Sequence, residues 1–77
     1  MNNARRKELK KAYALLCNAY DIINEVREDE QEAFDNMPEG FQQGERGEQM
    51  EENIYTLEEM VDTIEEAYNN IEEIIGG

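Results

Sequence analysis

The sequence has few of the residue types on which most catalytic and metal sites depend. Its 77 residues include no histidine, no tryptophan, one cysteine and one proline. A single thiol, Cys17, cannot form an intramolecular disulfide, and without histidine no Cys/His zinc site can be assembled. There is also no glycine-rich phosphate-binding loop of the P-loop type. We therefore expect a protein that is not an enzyme and that holds no metal and no cofactor.

Long apolar runs are missing as well. No stretch of 18 apolar residues occurs, so we expect no membrane-spanning segment. The basic start MNNARRKELKK continues with charged residues where a secretory signal requires an apolar run. Both features predict a cytoplasmic protein in which Cys17 stays reduced.

Positive charge is scarce and unevenly placed. Twenty Asp and Glu against seven Lys and Arg give a net charge of −13, which opposes direct binding to a phosphate backbone. Five of the seven cations lie within residues 5–11. In an antiparallel hairpin this basic segment lies beside the acidic end of the chain, which carries Glu65, Glu66, Glu72 and Glu73. We expect opposite charges to meet there and to favour the antiparallel register.

Apolar residues recur at helical spacing in two segments. The first stripe comprises Leu9, Ala12, Leu16, Ala19, Ile23, Val26 and Ala33. The second comprises Met50, Ile54, Leu57, Val61, Ile64, Tyr68, Ile71 and Ile75, with alternating gaps of four and three. This spacing, which is also that of a coiled coil, predicts helices over residues 3–35 and 47–75.

The ends of both helices have recognisable signals. Asn2 or Asn3 can cap the first helix by accepting a hydrogen bond from a free backbone amide. Pro38 disfavours helix at the residue before it, so the first helix should end near residue 35. Gly76 and Gly77 are expected to end the second helix.

The connection over residues 36–46 is longer than most links between bundle helices. It contains one proline and two glycines, which predicts a loop. Met37 and Phe41 are apolar enough to fold back over the end of the hairpin. Alternatively, the loop presents a recognition surface.

The pattern as a whole predicts one all-α domain, an antiparallel helical hairpin. Two helices side by side cannot cover stripes this wide. The residues expected to be exposed are Leu15, Ile22, Tyr13, Tyr20, Val61 and Tyr68. Since monomers seldom expose large apolar patches, we predict a homodimer in the form of a four-helix bundle. The competing explanation is that the patch binds a different partner.

The amino-acid sequences of the loop and of the start of the chain are similar to those of a known group of proteins. The segment EQEAFDNMPEGFQQGERGE, together with Ala4-Arg5-Arg6-Lys7 and the Glu-rich second helix, resembles small acidic helical proteins of unknown function encoded in phages and prophages of Firmicutes. The resemblance implies a phage accessory protein that inhibits a host factor or a defence system. It implies no catalytic or binding residues.

These observations predict a non-enzymatic interaction module that binds and blocks a host or defence protein. The expected contact residues are Met37, Phe41, Arg46, Tyr13, Tyr20 and Tyr68. Arg46 can instead pin the loop to a nearby carboxylate. In the alternative function, rows of carboxylates imitate DNA phosphates and occupy the basic groove of a nucleic-acid-binding protein.

Overall fold

The computed structural model describes residues 1–76, which form two long helices joined by a short one. Helix α1 spans Asn3–Asp35, α2 spans Glu39–Gln42 and α3 spans Glu45–Gly76. Helices α1 and α3 pack along each other in a coiled-coil-like hairpin that measures 58 × 14 × 14 Å. No strand occurs among the described residues, so the all-α hairpin predicted from the sequence is confirmed.

Helix α1 has the bounds that the apolar spacing predicts, and its start is capped as expected. The side chain of Asn2 accepts a hydrogen bond of 2.9 Å from the backbone amide of Arg5. At the other end, the amide of Asn36 donates to the carbonyl of Glu32 at 3.0 Å. The helix stops there, two residues before Pro38, because proline disfavours helical backbone at the residue that precedes it.

The connection between the long helices is more ordered than a plain loop, since it contains the single turn of α2. The side-chain amide of Gln42 donates to the carbonyl oxygens of Phe34 at 2.8 Å and of Met37 at 3.2 Å. Phe34 lies in the last turn of α1, and Met37 follows two residues beyond the end of that helix. Gln42 therefore ties α2 to the end of α1.

Helix α3 begins two residues earlier than the apolar stripe predicts. Glu45 and Glu48 lie in its first turn, where negative charge stabilises the positive end of the helix dipole. Gly76 is the last described residue of α3 and is helical, one residue beyond the predicted boundary at residue 75. Among the described residues no glycine has a positive φ, and Gly76 therefore does not form a left-handed cap. The predicted role of Gly77 lies outside those residues.

The core is small and lies along the line of contact between α1 and α3. Ile54 and Val61 are the most buried apolar side chains, at 7% and 6% exposure. Val61 was expected to be exposed, and that prediction is wrong. Because it follows Ile54 by seven residues, it occupies the same side of α3 and points towards α1. None of the described helices is both long enough and apolar enough to cross a lipid bilayer.

Candidate interaction surface

Several large apolar side chains are exposed along the hairpin. On α1 these are Leu15, Ile22 and Val26, at 70%, 54% and 49% exposure. On α3 the non-aromatic ones are Met60 and Ile74, at 41% and 45%, and the aromatic Tyr55 is exposed on the other side of the helix. A monomeric hairpin leaves all five in contact with water, an arrangement that marks interaction surfaces when the residues are contiguous.

The exposed residues of both helices have the same relation to the core. Leu15 and Ile22 each come directly before a residue that packs inward, Leu16 or Ile23. Met60 comes directly before the buried Val61, and Ile74 before Ile75. One residue corresponds to a turn of about 100° around the helix axis, in the same sense on α1 and α3 when each is viewed from its own start. Because α1 and α3 are antiparallel, residues that are rotated away from the contact line in this common sense lie on the same side of the hairpin.

A surface depression at the loop end is bordered by one residue from each flank, as expected if the two flanks share one side. It is bordered by Ala33, which follows Val26 by seven residues on α1. It is also bordered by Arg46, which precedes Met60 by fourteen residues on α3. We call the shared surface the apolar face. Its exposed members are Leu15, Ile22, Val26, Met60 and Ile74, and its half-buried members are Leu57, Ile64, Ala67 and Ile71.

The depression at the loop end has a volume of about 450 Å³ and is open to solvent. Its lining consists of Ala33, Asn36, Met37, Pro38, Phe41, Arg46 and Met50. We call it the loop-end site. It brings together three of the predicted contact residues, Met37, Phe41 and Arg46. Of these, Met37 is half-buried, whereas the ring of Phe41 is 66% exposed and does not fold back over the hairpin.

Arg46 is exposed and does not make the pinning contact considered above within residues 1–76. Among residues 1–76 the ion pairs join Lys11 to Glu8 at 3.0 Å and Arg27 to Glu28 at 3.7 Å. Arg46 takes part in neither, so within the described part of the chain it does not pin the loop to a carboxylate. Arg46 and Phe41 both line the loop-end site.

The other three predicted contact residues lie elsewhere. Tyr13 and Tyr20 on α1 both pack edge-to-face against Tyr68 on α3, with ring centroids 5.6 and 5.8 Å apart. All three side chains are half-buried, so the expectation that they are exposed flank residues is wrong. Their rings are long enough to reach across the contact line and pack between the helices. Tyr20 also lies roughly 24 Å along α1 from the loop, at 1.5 Å per residue, so the six residues do not form one surface.

The surroundings of Tyr13 and Tyr68 disfavour loss of their phenolic protons. The negative charge of Glu72 raises the pKa of Tyr13, with burial as a smaller cause. Burial raises the pKa of Tyr68, and the charge of Glu65 adds to the effect. Both causes disfavour the charged phenolate form of these two side chains. The cluster is therefore a packing element between α1 and α3.

The acidic residues of α3 lie mainly on its outward surface. They are Glu45, Glu48, Glu51, Glu52, Glu58, Glu59, Asp62, Glu65, Glu66, Glu72 and Glu73, and all except the half-buried Glu65 are exposed. Spread over a helix that rises 1.5 Å per residue, they amount to about one carboxylate per 4 Å of axis. The hairpin therefore presents carboxylates beside a continuous apolar side.

The expected ion pairs between the basic start and the acidic end do not form within residues 1–76. Both ion pairs lie inside α1. Lys10 and Glu72 nevertheless border one small depression with Tyr13 and Ile75, so opposite charges approach across the hairpin without close contact. Exposed pairs of this kind contribute only about 0–1 kcal/mol, and apolar packing suffices to hold the register.

The chain matches no family model, no curated protein and no solved structure. Within the described residues, no group of three His, Cys, Asp or Glu side chains is placed to hold a metal ion. Cys17 is half-buried on α1. The prominent features of the molecule are thus the apolar face and its loop-end site.

Sequence reasoning missed some of the residues that form these surfaces. Met60 and Ile74 belong neither to the second stripe nor to the residues that were expected to be exposed. Their position directly before an inward-facing residue, the same position that Leu15 and Ile22 occupy on α1, is the signal that identifies them. The contact of α2 with α3 at Gly47 has no comparable signal, because it depends on how the connection folds.

Proposed function

We propose that this chain is a non-enzymatic protein-interaction module that acts through its apolar face and loop-end site. The supporting observation is the apolar face, which extends along both long helices with side chains up to 70% exposed. Contiguous apolar surface of this kind is uncommon on monomers and is typical of surfaces that bind another polypeptide.

A homodimer is the first part of this proposal. Two hairpins that pack by their apolar faces make a four-helix bundle, an arrangement in which each helix buries a wide stripe. The exposed residues on α1 and α3 then occupy a shared core, which buries the full width of both stripes.

The second part of the proposal is a protein partner bound at the loop-end site. Phe41 offers a large exposed ring, and Arg46 offers a cation that forms no ion pair within residues 1–76. Aromatic and arginine side chains often contribute most to binding energy. The resemblance to phage and prophage proteins favours a partner from the bacterial host, which the module binds and blocks in the cytoplasm.

A capture experiment with matched variants tests the loop-end site. The immobilised chain is incubated with lysate of a Firmicutes host, and bound proteins are compared among wild type, Phe41→Ala, Arg46→Ala and Tyr55→Ala. Tyr55 is the control because it is 63% exposed but directly follows the buried Ile54, which places it on the opposite side of α3. We expect a protein retained by wild type and Tyr55→Ala and lost with the other two variants. Equal retention by Phe41→Ala would contradict the proposal.

An acidic DNA mimic is the second candidate function, and the carboxylate density of α3 favours it. One carboxylate per about 4 Å of axis is close to the one phosphate per 3.4 Å of a single DNA strand. Binding through these carboxylates should weaken steeply as salt rises and should be competed by duplex DNA. Binding through the loop-end site should instead depend on Phe41 and persist in the presence of duplex DNA.

A further inference from the structure

We infer that the apolar face is covered by a second copy of this chain turned end for end, so that the loops lie at opposite ends of the bundle. This deepens the homodimer part of the proposed function by assigning the interface and the orientation of the two copies. Three observations support it, namely the size of the face, the distribution of charge and the positions of the exposed residues on α1.

The size of the apolar face suits a dimer of identical copies. The 33 residues of α1 give a length of about 50 Å at 1.5 Å per residue, and the hairpin is 14 Å wide. Face-to-face contact then covers about 700 Å² on each copy, or about 1,400 Å² in total. Stable and specific protein interfaces bury about 1,200–2,000 Å², so the face can support a dimer without further contacts.

Charge distinguishes the two possible orientations of the second copy. The half of the hairpin near the loop, residues 19–57, contains two cations and twelve acidic residues, a net charge of −10. The other half, residues 1–18 and 58–77, contains five cations and eight acidic residues, a net charge of −3. Copies with their loops together would place the two −10 halves against each other. Copies turned end for end place each −10 half against the half that carries the basic segment.

The exposed residues of α1 fit the same arrangement. Leu15 and Val26 lie equally far on either side of the point between Tyr20 and Asp21, near the middle of the helix. A two-fold axis that crosses α1 at this level makes the two copies of α1 antiparallel neighbours. Leu15 of one copy then lies level with Val26 of the other, and Ile22 of each copy lies close to the axis.

Sedimentation equilibrium on the full chain tests the interface. We expect a species of about 18 kDa, twice the 9.0 kDa of one chain, at micromolar concentration. Leu15→Glu and Ile22→Glu should each halve the mass and keep the helical circular dichroism, whereas Tyr55→Glu, on the opposite side, should stay dimeric. A wild-type mass near 9 kDa, or dimers that persist in both Leu15→Glu and Ile22→Glu, would overturn the inference.

The orientation is tested by the distance between spin labels on the two loops. Gly40 is a suitable site because an added Cβ meets no atom within 4 Å, and Cys17→Ser leaves the new cysteine as the single thiol. Gly40→Cys labels should lie about 50 Å apart in the end-for-end dimer, given a hairpin 58 Å long. A distance below about 25 Å would show that the loops lie together and would refute the orientation.

The salt dependence of dimerisation tests the interface without any substitution. Each copy carries a charge of −13, so repulsion opposes association and added salt screens it. The dimer dissociation constant should therefore be lower in 500 mM NaCl than in 50 mM NaCl, and a higher constant at 500 mM would contradict packing through the apolar face. A monomer that still captures its partner through Phe41 would refute this inference and leave the rest of the proposed function standing. A dimer that captures no protein through Phe41 would support this inference and contradict the loop-end site as a partner-binding site.

Discussion

Gly47 is the glycine whose replacement by alanine should destabilise the hairpin most. It is buried in the first turn of α3, directly against the backbone of Gln42 at the end of α2. A Cβ at this position would lie 2.6 Å from the Cα of Gln42 and closer still to its carbonyl group. Since the obstructing atoms are backbone, rotation of a side chain cannot relieve the overlap, and Gly47→Ala must push α2 away from α3.

The expected loss of stability combines two opposing effects. In an unobstructed helix, alanine is more favourable than glycine by up to about 1 kcal/mol. Excess volume forced into a packed region costs about 1–3 kcal/mol. The free energy of unfolding of Gly47→Ala should therefore fall by about 1–2 kcal/mol. In a domain of this size each kcal/mol lowers the melting temperature by about 4–8 °C.

Urea unfolding followed by circular dichroism at 222 nm measures this loss, at one fixed protein concentration because association affects apparent stability. Gly40→Ala is the matched control. It makes the same change in α2, where an added Cβ meets nothing within 4 Å, so its stability should stay equal or rise by up to about 1 kcal/mol. If Gly47→Ala proved as stable as Gly40→Ala, the close approach of α2 to α3 would be refuted.

Four further predictions concern the connection, the tyrosine cluster and the start of α1. Gln42→Ala removes two hydrogen bonds to the end of α1 and should lower the free energy of unfolding by about 1–2 kcal/mol, with Gln43→Ala as the control. Tyr68→Leu should cost at least about 1 kcal/mol more than Tyr68→Phe, which keeps both edge-to-face contacts; equal losses would show that ring geometry is unimportant. The raised pKa values of Tyr13 and Tyr68 contribute stability that is complete below pH 10 and is lost as pH rises through the folded-state values. Absorbance at 295 nm should accordingly show that tyrosine ionises at higher pH in folded than in urea-unfolded protein. Asn2→Ala should cost about 0.5–2 kcal/mol in thermal unfolding, and no loss would contradict its capping role.

Much of the fold follows from the spacing of apolar residues alone. The bounds of α1 depend on an asparagine cap and a proline, which act locally and are visible in the sequence. The burial of Ile54 follows from its place on the midline of the second stripe. Val61 lies on the same midline, seven residues later. It was expected to be exposed because the prediction considered the total width of the stripe and not the position of its midline. The error concerns which side of a stripe faces the neighbouring helix.

The candidate site was less predictable, since it depends on contacts between distant parts of the chain. The composition of the connection does not determine whether Phe41 folds inward or outward. The path that the connection takes leaves the ring exposed. The three tyrosines of the cluster are separated by up to 55 residues, and periodicity cannot show that their rings meet. Arg46 likewise has many acidic neighbours in sequence, yet within residues 1–76 it forms no ion pair.

The bonds that Gln42 makes to the end of α1 also affect how two copies can combine. Helical hairpins sometimes exchange a helix, when the connection straightens and each chain completes its neighbour. Straightening this connection would break both bonds of Gln42 and separate α2 from the first turn of α3. Exchange is therefore disfavoured, and each chain should close on itself before it meets a second one.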